Sequence, residues 1–446
     1  MPIQGDEAGT YLRHATTGIQ GLFDLGTANN HFLNTLLIAL ATARASFSEA
    51  AIRTPVVLTY AWFFLFYLPS RFCFPRWSDK LLFAGLSLLP YYINEYATMA
   101  RGYILSACFA AAALNELALF SNAGPQAASH VIDPGLAVAE RLKVVRVCLF
   151  SSLAVLSSIL IFPFFLLVNG YGLVHLRKVC RVKAGREEVV LLTAATALAC
   201  GAVVLSVHTF LAIKNSGVGT IVSPPLNFGS WFIGLPQLLW TPIVNVAHAS
   251  GSSSPLFAQI VCFASAASFL VAIFYGGPGQ HVRAAIVLVV SNLFLIYVLA
   301  LVGSYPTGRG WLPFWFVIVF TIVAALNLAL DRGASRWLPA KSGRWLAVSS
   351  LTALVLIAAG SVWRSYQGNY VYELRPFYYQ YKSLMHYSRQ QNLKCLSYGD
   401  INDEVLKFYF LNDAGPVPRP SECPAGVKSQ PGFMPYSHDN KEPVFD

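Results

Sequence analysis

The sequence predicts an all-α polytopic membrane protein with about ten membrane helices, interfacial helices in a first outer loop, and a small α+β or irregular outer tail. Three observations carry that expectation. Of 446 residues, 55% are hydrophobic and only 12% charged, which leaves too little polar surface to cover a soluble globule of this size; the mean hydropathy of +0.53 agrees. Apolar stretches close to the roughly 20 residues that cross a hydrocarbon core recur along the chain, each bounded by Pro, Gly or charge. The Lys and Arg residues sit in short clusters between those stretches, as in cytoplasmic loops. They form no continuous face, so the net charge of +10 does not point to nucleic acid.

In chain order, residues 1–50 read as the first outer loop. They open on "MPIQGDEAGTYLRHATTG", with an acidic pair, Asp6-Glu7, a basic pair, Arg13-His14, and no hydrophobic run. Phe32, Leu33, Leu36, Leu37, Leu40 and Ala41 then recur at helical spacing with Asn34 and Thr35 on the other face, which predicts an interfacial helix on the outer leaflet. Residues 51–362 form the transmembrane domain, with spans near 54–70, 81–98, 103–120, 189–212, 256–275, 283–303, 312–330 and 345–362. The run 144–176 is too long for one span and short for two; Ser157, Ser158 and Pro163 interrupt it. It is expected to form two short helices meeting as a broken hairpin, which a membrane tolerates only inside a protein bundle. The tail 363–446 is polar and Tyr-rich, with a pattern fit for a small α+β piece, then Pro-rich and extended; its Asp400, Asp403 and Glu404 read as solvated.

Orientation follows from the basic segments. "SRFCFPRWSDK", "AERLKVVR", "HLRKVCRVKAGR", "GQHVR" and "DRGASRWLPAKSGR" alternate with outer loops such as 213–255, which carries only Lys214, so the basic segments are expected in the cytoplasm. Residues 1–50 and 363–446 then share the outer side. Nothing in the chain would carry 1–50 across, so a preceding transmembrane helix, an eleventh, is expected beyond this sequence. Cys73, Cys108, Cys148, Cys180, Cys200 and Cys262 fall in spans or cytoplasmic segments, whereas Cys395 and Cys423 share the outer tail, where a disulfide between them is expected.

From Val189 to Leu330 there is no Asp or Glu, so outward chemistry that needs a carboxylate draws on Asp6, Glu7, Asp24, Glu49, Glu95 or the tail. Asp6-Glu7 also reads plainly as a helix N-terminus ahead of "AGTYLRHA". Glu95 lies in "YYINEYATMARGYIL", at an outward turn, with Arg101 six residues on. Two readings stand there, an interfacial ion pair and a functional site. His31 has no second His or Cys at ligand spacing and reads as a helix-start or interfacial residue before a metal ligand. The outer basic residues are Arg53, Arg101, Lys214 and Arg309. Guanidinium groups at such depth suit a phosphate at headgroup level, although for Arg53 snorkelling to ordinary lipid is the better account.

Five stretches resemble a family in order along one face: "DEAGTYLRHA", "ANNHFLNTLL", "AAIRTP", "NEYATMARGYIL" and "PTGRG". They are similar to the motifs of C-superfamily membrane glycosyltransferases, nearest the family 39, protein O-mannosyltransferase-like bacterial group. The resemblance covers about the first 120 residues, and beyond them only the span pattern. Asn94-Glu95 stands where that family has an Asp, and the family's first span is absent. The resemblance implies transfer of a sugar from a polyprenyl-phosphate carrier to a lipid, glycan or protein acceptor at the outer (periplasmic) face of a bacterial inner membrane. By that analogy Asp6 is the general base with Glu7 beside it, Arg101 and Arg309 hold the donor phosphate, and Asn30, His31, Glu95 and Tyr103 line the substrate pocket. Such an inverting displacement needs one base and cations on the leaving phosphate; a divalent metal is compatible with it, and no cofactor is assigned. A secondary transporter would share the span count but asks for internal repeats and midplane charges, and the sequence shows neither, Glu116 apart. A catalytically inactive membrane scaffold is the third reading, marked by the departure at Glu95.

Overall fold

The computed structural model describes residues 10–17, 19–23, 31–44, 48–88, 93, 96–97, 99–120, 134–179, 185–216, 267, 270, 280–301 and 312–337. Among them the regular structure is helical throughout, with no strand. The elements are α1 (Thr10–Ala15, a π-helical turn), α2 (Ile19–Leu22), α3 (Phe32–Arg44), α4 (Glu49–Arg71), α5 (Trp77–Leu88), α6 (Gly102–Ala118), α7 (Pro134–Ser157), α8 (Phe162–Val179), α9 (Arg186–Ser216), α10 (Gln280–Leu301) and α11 (Leu312–Trp337). Three stretches among the described residues are long and apolar enough to cross a bilayer: Glu49–Arg71, Ile159–Arg177 and Arg186–Ala212. Leu58, Leu65 and Phe66 of α4 and Val190, Val204 and Leu211 of α9 are exposed, which is the surface expected of helices meeting lipid tails.

The chain divides into two compact units, one comprising Met1–Asp24, Thr35–Pro55 and Tyr366–Asp446, the other Leu25–Asn34 and Val56–Ser365. In the first, Thr16 and Thr17 turn their hydroxyls back onto the carbonyls of Leu12 and Arg13 at 2.8 and 2.9 Å, satisfying acceptors that the end of α1 leaves over. Ser48 caps α4, its hydroxyl accepting from the Ala51 amide at 3.1 Å, with Glu49 in the first turn where the helix dipole favours a negative charge.

In the second unit α6 is the hub, packed against α7 and α11. Its sequence "GYILSACFAAAALNELA" is rich in small residues, which let neighbouring backbones approach closely, and nearly all of it is buried. α7 runs antiparallel to it: Gly102 meets Ser157 at one end, the Ser106 hydroxyl donates to the Ala154 carbonyl at 2.9 Å, and Glu116 pairs with Arg146 at 2.7 Å near the other. α8 folds back on α7 in turn, with Asn169 donating to the Ser151 hydroxyl at 2.7 Å and His175 on Glu140 at 2.9 Å. Phe63, Phe72, Phe83, Phe316 and Phe320 fill the space between α4, α5 and α11, and the Trp315 indole donates to the Leu86 carbonyl in the last turn of α5 at 3.1 Å.

The interruption expected in 144–176 is present: Ser158 is extended at φ −157°, ψ 116°, and a 3₁₀ turn over Ile159–Ile161 leads into α8. The helices differ from the expectation in length, because α7 begins at Pro134 and takes in "AERLKVVR". That segment is helix, not loop. Its charges tolerate the helix because each finds a partner, Glu140 with Lys143 and His175, Arg141 with Glu188, and Arg146 with Glu116. Residues 280–283 of "GQHVR" are likewise the first turn of α10. The helix expected over "HFLNTLLIALATAR" is α3, with a twist in its facing. His31, Asn34, Thr35 and Ile38 are buried while Leu40 is 58% exposed, so the polar stripe faces protein and the apolar side is left for lipid. The span near 345–362, that near 256–275 apart from Ala267 and Leu270, and the whole tail lie outside the described residues.

Candidate functional site

The start of α6 gathers the described residues that the sequence marked out. Arg101 immediately precedes the helix in extended conformation (φ −124°, ψ 137°), its amide donating to the Met99 carbonyl at 2.8 Å in a tight turn. Its guanidinium side chain is buried, 1% exposed. Gly102 follows, and no other residue fits there: an added Cβ would stand 2.1 Å from the Ser157 carbonyl oxygen and 2.7 Å from the His31 Cβ. The glycine therefore brings three segments, from α3, α6 and α7, into one contact.

Ser157 ends α7, so its carbonyl is one of the last four that a helix leaves without an internal donor. His31 supplies the donor. Because Nε2 has no hydrogen-bond partner, the bond to Ser157 runs through Nδ1–H, which fixes the tautomer. Burial lowers the His31 pKa to about 4, only partly opposed by the bond to Ser157, so the ring is neutral at physiological pH. Its edge meets Tyr103, ring centroids 4.7 Å apart at 74°, and Tyr103 in turn meets Tyr96 at 5.7 Å. Asn34, one turn along α3, donates through Nδ2 to the Ala100 carbonyl at 2.9 Å, while its Oδ1 is buried without a partner.

Chemically, this is a buried cation at the amino end of a 17-residue helix, where unpaired amides and the helix dipole also favour negative charge. A neutral imidazole, an amide and two phenol rings belong to the same turn, meeting it at Ala100, Gly102 and Tyr103. Of the residues singled out from the sequence, the structure brings together His31, Arg101 and Tyr103. Asp6, Glu7, Asn30, Glu95, Arg309, Cys395 and Cys423 lie outside the described residues. Among the described residues no three His, Cys, Asp or Glu side chains converge as metal ligands, and Cys73, Cys108, Cys148 and Cys200 are free thiols.

Three members of the cluster escaped the sequence reading. Asn34 was assigned only to the polar side of α3, and Gly102 and Ser157 were noted for other reasons. A polar residue one turn beyond His31, and a Ser-Ser step in the middle of an apolar run, were the available signals.

A second polar cluster lies at the opposite end of α6. Glu116, fully buried, accepts from Arg146 at 2.7 Å and from the Tyr67 hydroxyl at 3.1 Å, with Arg71 at 4.0 Å. Asn115 accepts from the Cys73 amide at 2.7 Å and donates to the Arg71 carbonyl at 3.1 Å. Nearby, His175 stacks on Phe120 at 4.1 Å and lies edge-on to His281, whose Nδ1 is 2.9 Å from the Tyr171 hydroxyl. Each of these charges has a partner, as buried charges in a membrane protein must. Their arrangement ties helix ends together. No family model matches the chain, and comparisons with curated proteins and with solved structures found no match either.

Proposed function

We propose that this chain is a membrane glycosyltransferase that moves a sugar from a polyprenyl-phosphate donor to a lipid, glycan or protein acceptor on the periplasmic side of a bacterial inner membrane. The observation that carries the reading is Arg101, buried at the amino end of α6 beside a neutral His31 and Tyr103. A lipid-linked phosphate brings negative charge to headgroup depth, and a guanidinium with a helix N-terminus is a fitting receptor for it. Arg309 is assigned the same task by the motif it occupies. In the proposed reaction Asp6, with Glu7 beside it, removes the acceptor's proton while the phosphate leaves from the opposite face of the anomeric carbon. Asn30 and Glu95 complete the pocket. The transporter reading finds less support, because the buried carboxylate Glu116 belongs to a paired cluster toward the end of its helix instead of a midplane site.

The test is turnover of radiolabelled polyprenyl-phosphate sugars by the full chain in proteoliposomes, with and without Asp6→Asn. That substitution keeps size and hydrogen bonding but removes basicity, so transfer should fall by about 10²-fold or more with donor binding little changed. If Asp6 merely caps a helix, Asn serves almost as well and the rate stays at the wild-type level.

A further inference from the structure

The turn that joins α4 to α5, "SRFCFPRWSDK", carries three basic residues against one acid, and the acid is the one turned inward. Asp79 is buried, whereas Arg71 and Arg76 are exposed. The Arg71 side chain, 54% exposed, stands 4.0 Å from Glu116, a carboxylate that Arg146 already holds at 2.7 Å. Two guanidinium groups thus share one buried negative charge, and the turn is left with a positive excess. Lys80 adds to it. Its ammonium reaches back to the end of α4, donating to the Pro69 carbonyl at 2.7 Å, and lies 5.3 Å from the centre of the Trp77 ring. A carbonyl and an indole face hold a cation in place without cancelling its charge.

Below this basic tier lies an apolar one. α4 runs into the turn and α5 runs out of it, so residues one turn earlier on α4 and one turn later on α5 sit deeper along the helices. Those residues are Phe66 and Leu81, both exposed, with Leu65 beside Phe66. Trp77, 63% exposed, stands four residues before Leu81 on the same face of α5, at the level where an indole favours the boundary between tails and headgroups. Uncancelled cations above exposed apolar side chains match the two parts of an anionic phospholipid. A zwitterionic headgroup would bring its own ammonium toward Lys80 and Arg71, and a soluble anion would leave Phe66 and Leu81 unused.

We propose that the α4–α5 turn binds an anionic phospholipid of the leaflet that the basic segments face, its phosphate between Arg71 and Lys80, its glycerol against Trp77 and its acyl chains along Phe66 and Leu81. The site is at the opposite end of α6 from Arg101 and is independent of the glycosyltransferase reading. Lipid bound there ties the end of α4 to the start of α5 and supplies the negative charge that Arg71 and Arg146 lack between them.

The experiment is native mass spectrometry of the full chain released from detergent, titrated with phosphatidylglycerol, with phosphatidylcholine of the same acyl chains, and with the deacylated headgroup glycerophosphoglycerol. Wild type should bind phosphatidylglycerol at least about fivefold more tightly than phosphatidylcholine, the worth of one basic residue near an anionic headgroup. Lys80→Gln should weaken phosphatidylglycerol by about that factor and leave phosphatidylcholine unchanged, with Lys80→Arg restoring the preference. Adding Arg71→Gln should lower the affinity further; should that change disturb Glu116 and the fold, Lys80→Gln decides alone, because Lys80 is held only by Pro69 and Trp77 among the described residues. Equal binding of the two phospholipids by wild type, or an unchanged preference in Lys80→Gln, overturns the inference. Binding of glycerophosphoglycerol as tight as that of the intact lipid overturns it in favour of a soluble anion.

Discussion

His31 sits in surroundings that oppose its protonation, and its pH response follows from that. The unfolded side chain has a pKa near 6.5, and burial lowers the folded value to about 4. The folded state thus binds fewer protons between these values than the unfolded state does. The stability His31 contributes is complete above about pH 6.5 and is lost as the pH falls toward 4, a difference of about 3 kcal/mol over the window. Replacement by Asn removes the titration and nothing else that is charged. The difference in thermal midpoint between wild type and His31→Asn should therefore shrink as the pH is lowered from 7.5 to 4.5, measured on purified protein in detergent. A constant difference across that range would mean that folding leaves the His31 pKa unshifted. A similar argument separates charge from shape at Arg101. Lysine keeps the charge but not the planar fork, so Arg101→Lys should retain more donor affinity than Arg101→Ala while still falling short of wild type, as read from donor binding isotherms. The sequence pointed to His31 and Arg101 by type and setting, yet not to their contact with Ser157, because a pairing across more than a hundred residues leaves no local pattern.

The elements were legible in proportion to how far local pattern decides them. Long apolar runs produced α6, α9 and α10 close to their expected limits, because length and apolarity favour a helix there, whereas α11 runs seven residues past its expected end at 330 into "DRGASRW". The extension of α7 through "AERLKVVR" was not legible. A charged eight-residue segment reads as a loop until its partners are known, and those partners come from α6, α8 and α9. The facing of α3 was hidden for the same reason, since polar residues bury only where a specific acceptor or donor awaits them. Glycines show the contrast most cleanly. At Gly102 an added Cβ collides with the Ser157 carbonyl at 2.1 Å, whereas at Gly170 and Gly201 nothing lies within 4 Å. Gly102→Ala should destabilise the protein by about 1–3 kcal/mol through overpacking and weaken donor binding, because it pushes His31 and Ser157 apart. Gly201→Ala, in the interior of α9, should raise stability by up to about 1 kcal/mol, the helix-propensity gain unopposed by a clash. Thermal unfolding of the two variants tests both signs at once.

Viewed whole, the second unit has two unlike ends. At one, the starts of α3 and α6 and the end of α7 meet around Arg101. At the other, four of the five basic segments come together: Arg71 and Arg146 share Glu116, Glu140 of the second segment bonds His175 of the third, and His175 meets His281 of the fourth. The charge pattern required these segments to share a side, and their convergence on one end of the bundle is what such a topology demands. The two ends are separated by most of α6, about 21 Å between Gly102 and Glu116 at 1.5 Å per residue, comparable to a large part of a hydrocarbon core. The positive-inside rule predicts opposite compartments for the two ends, with the basic end on the cytoplasmic side. In a cysteine-free background, a cysteine at Gly9 should react with an impermeant maleimide added to intact cells, while one at Gly185, exposed between α8 and α9 beside Arg186, should react only after permeabilisation. Reaction of both from outside would break the link between the basic segments and the cytoplasm. Reaction of Gly9 only after permeabilisation would overturn the outer placement expected for residues 1–50, and with it Asp6 as the base of an outward-facing reaction.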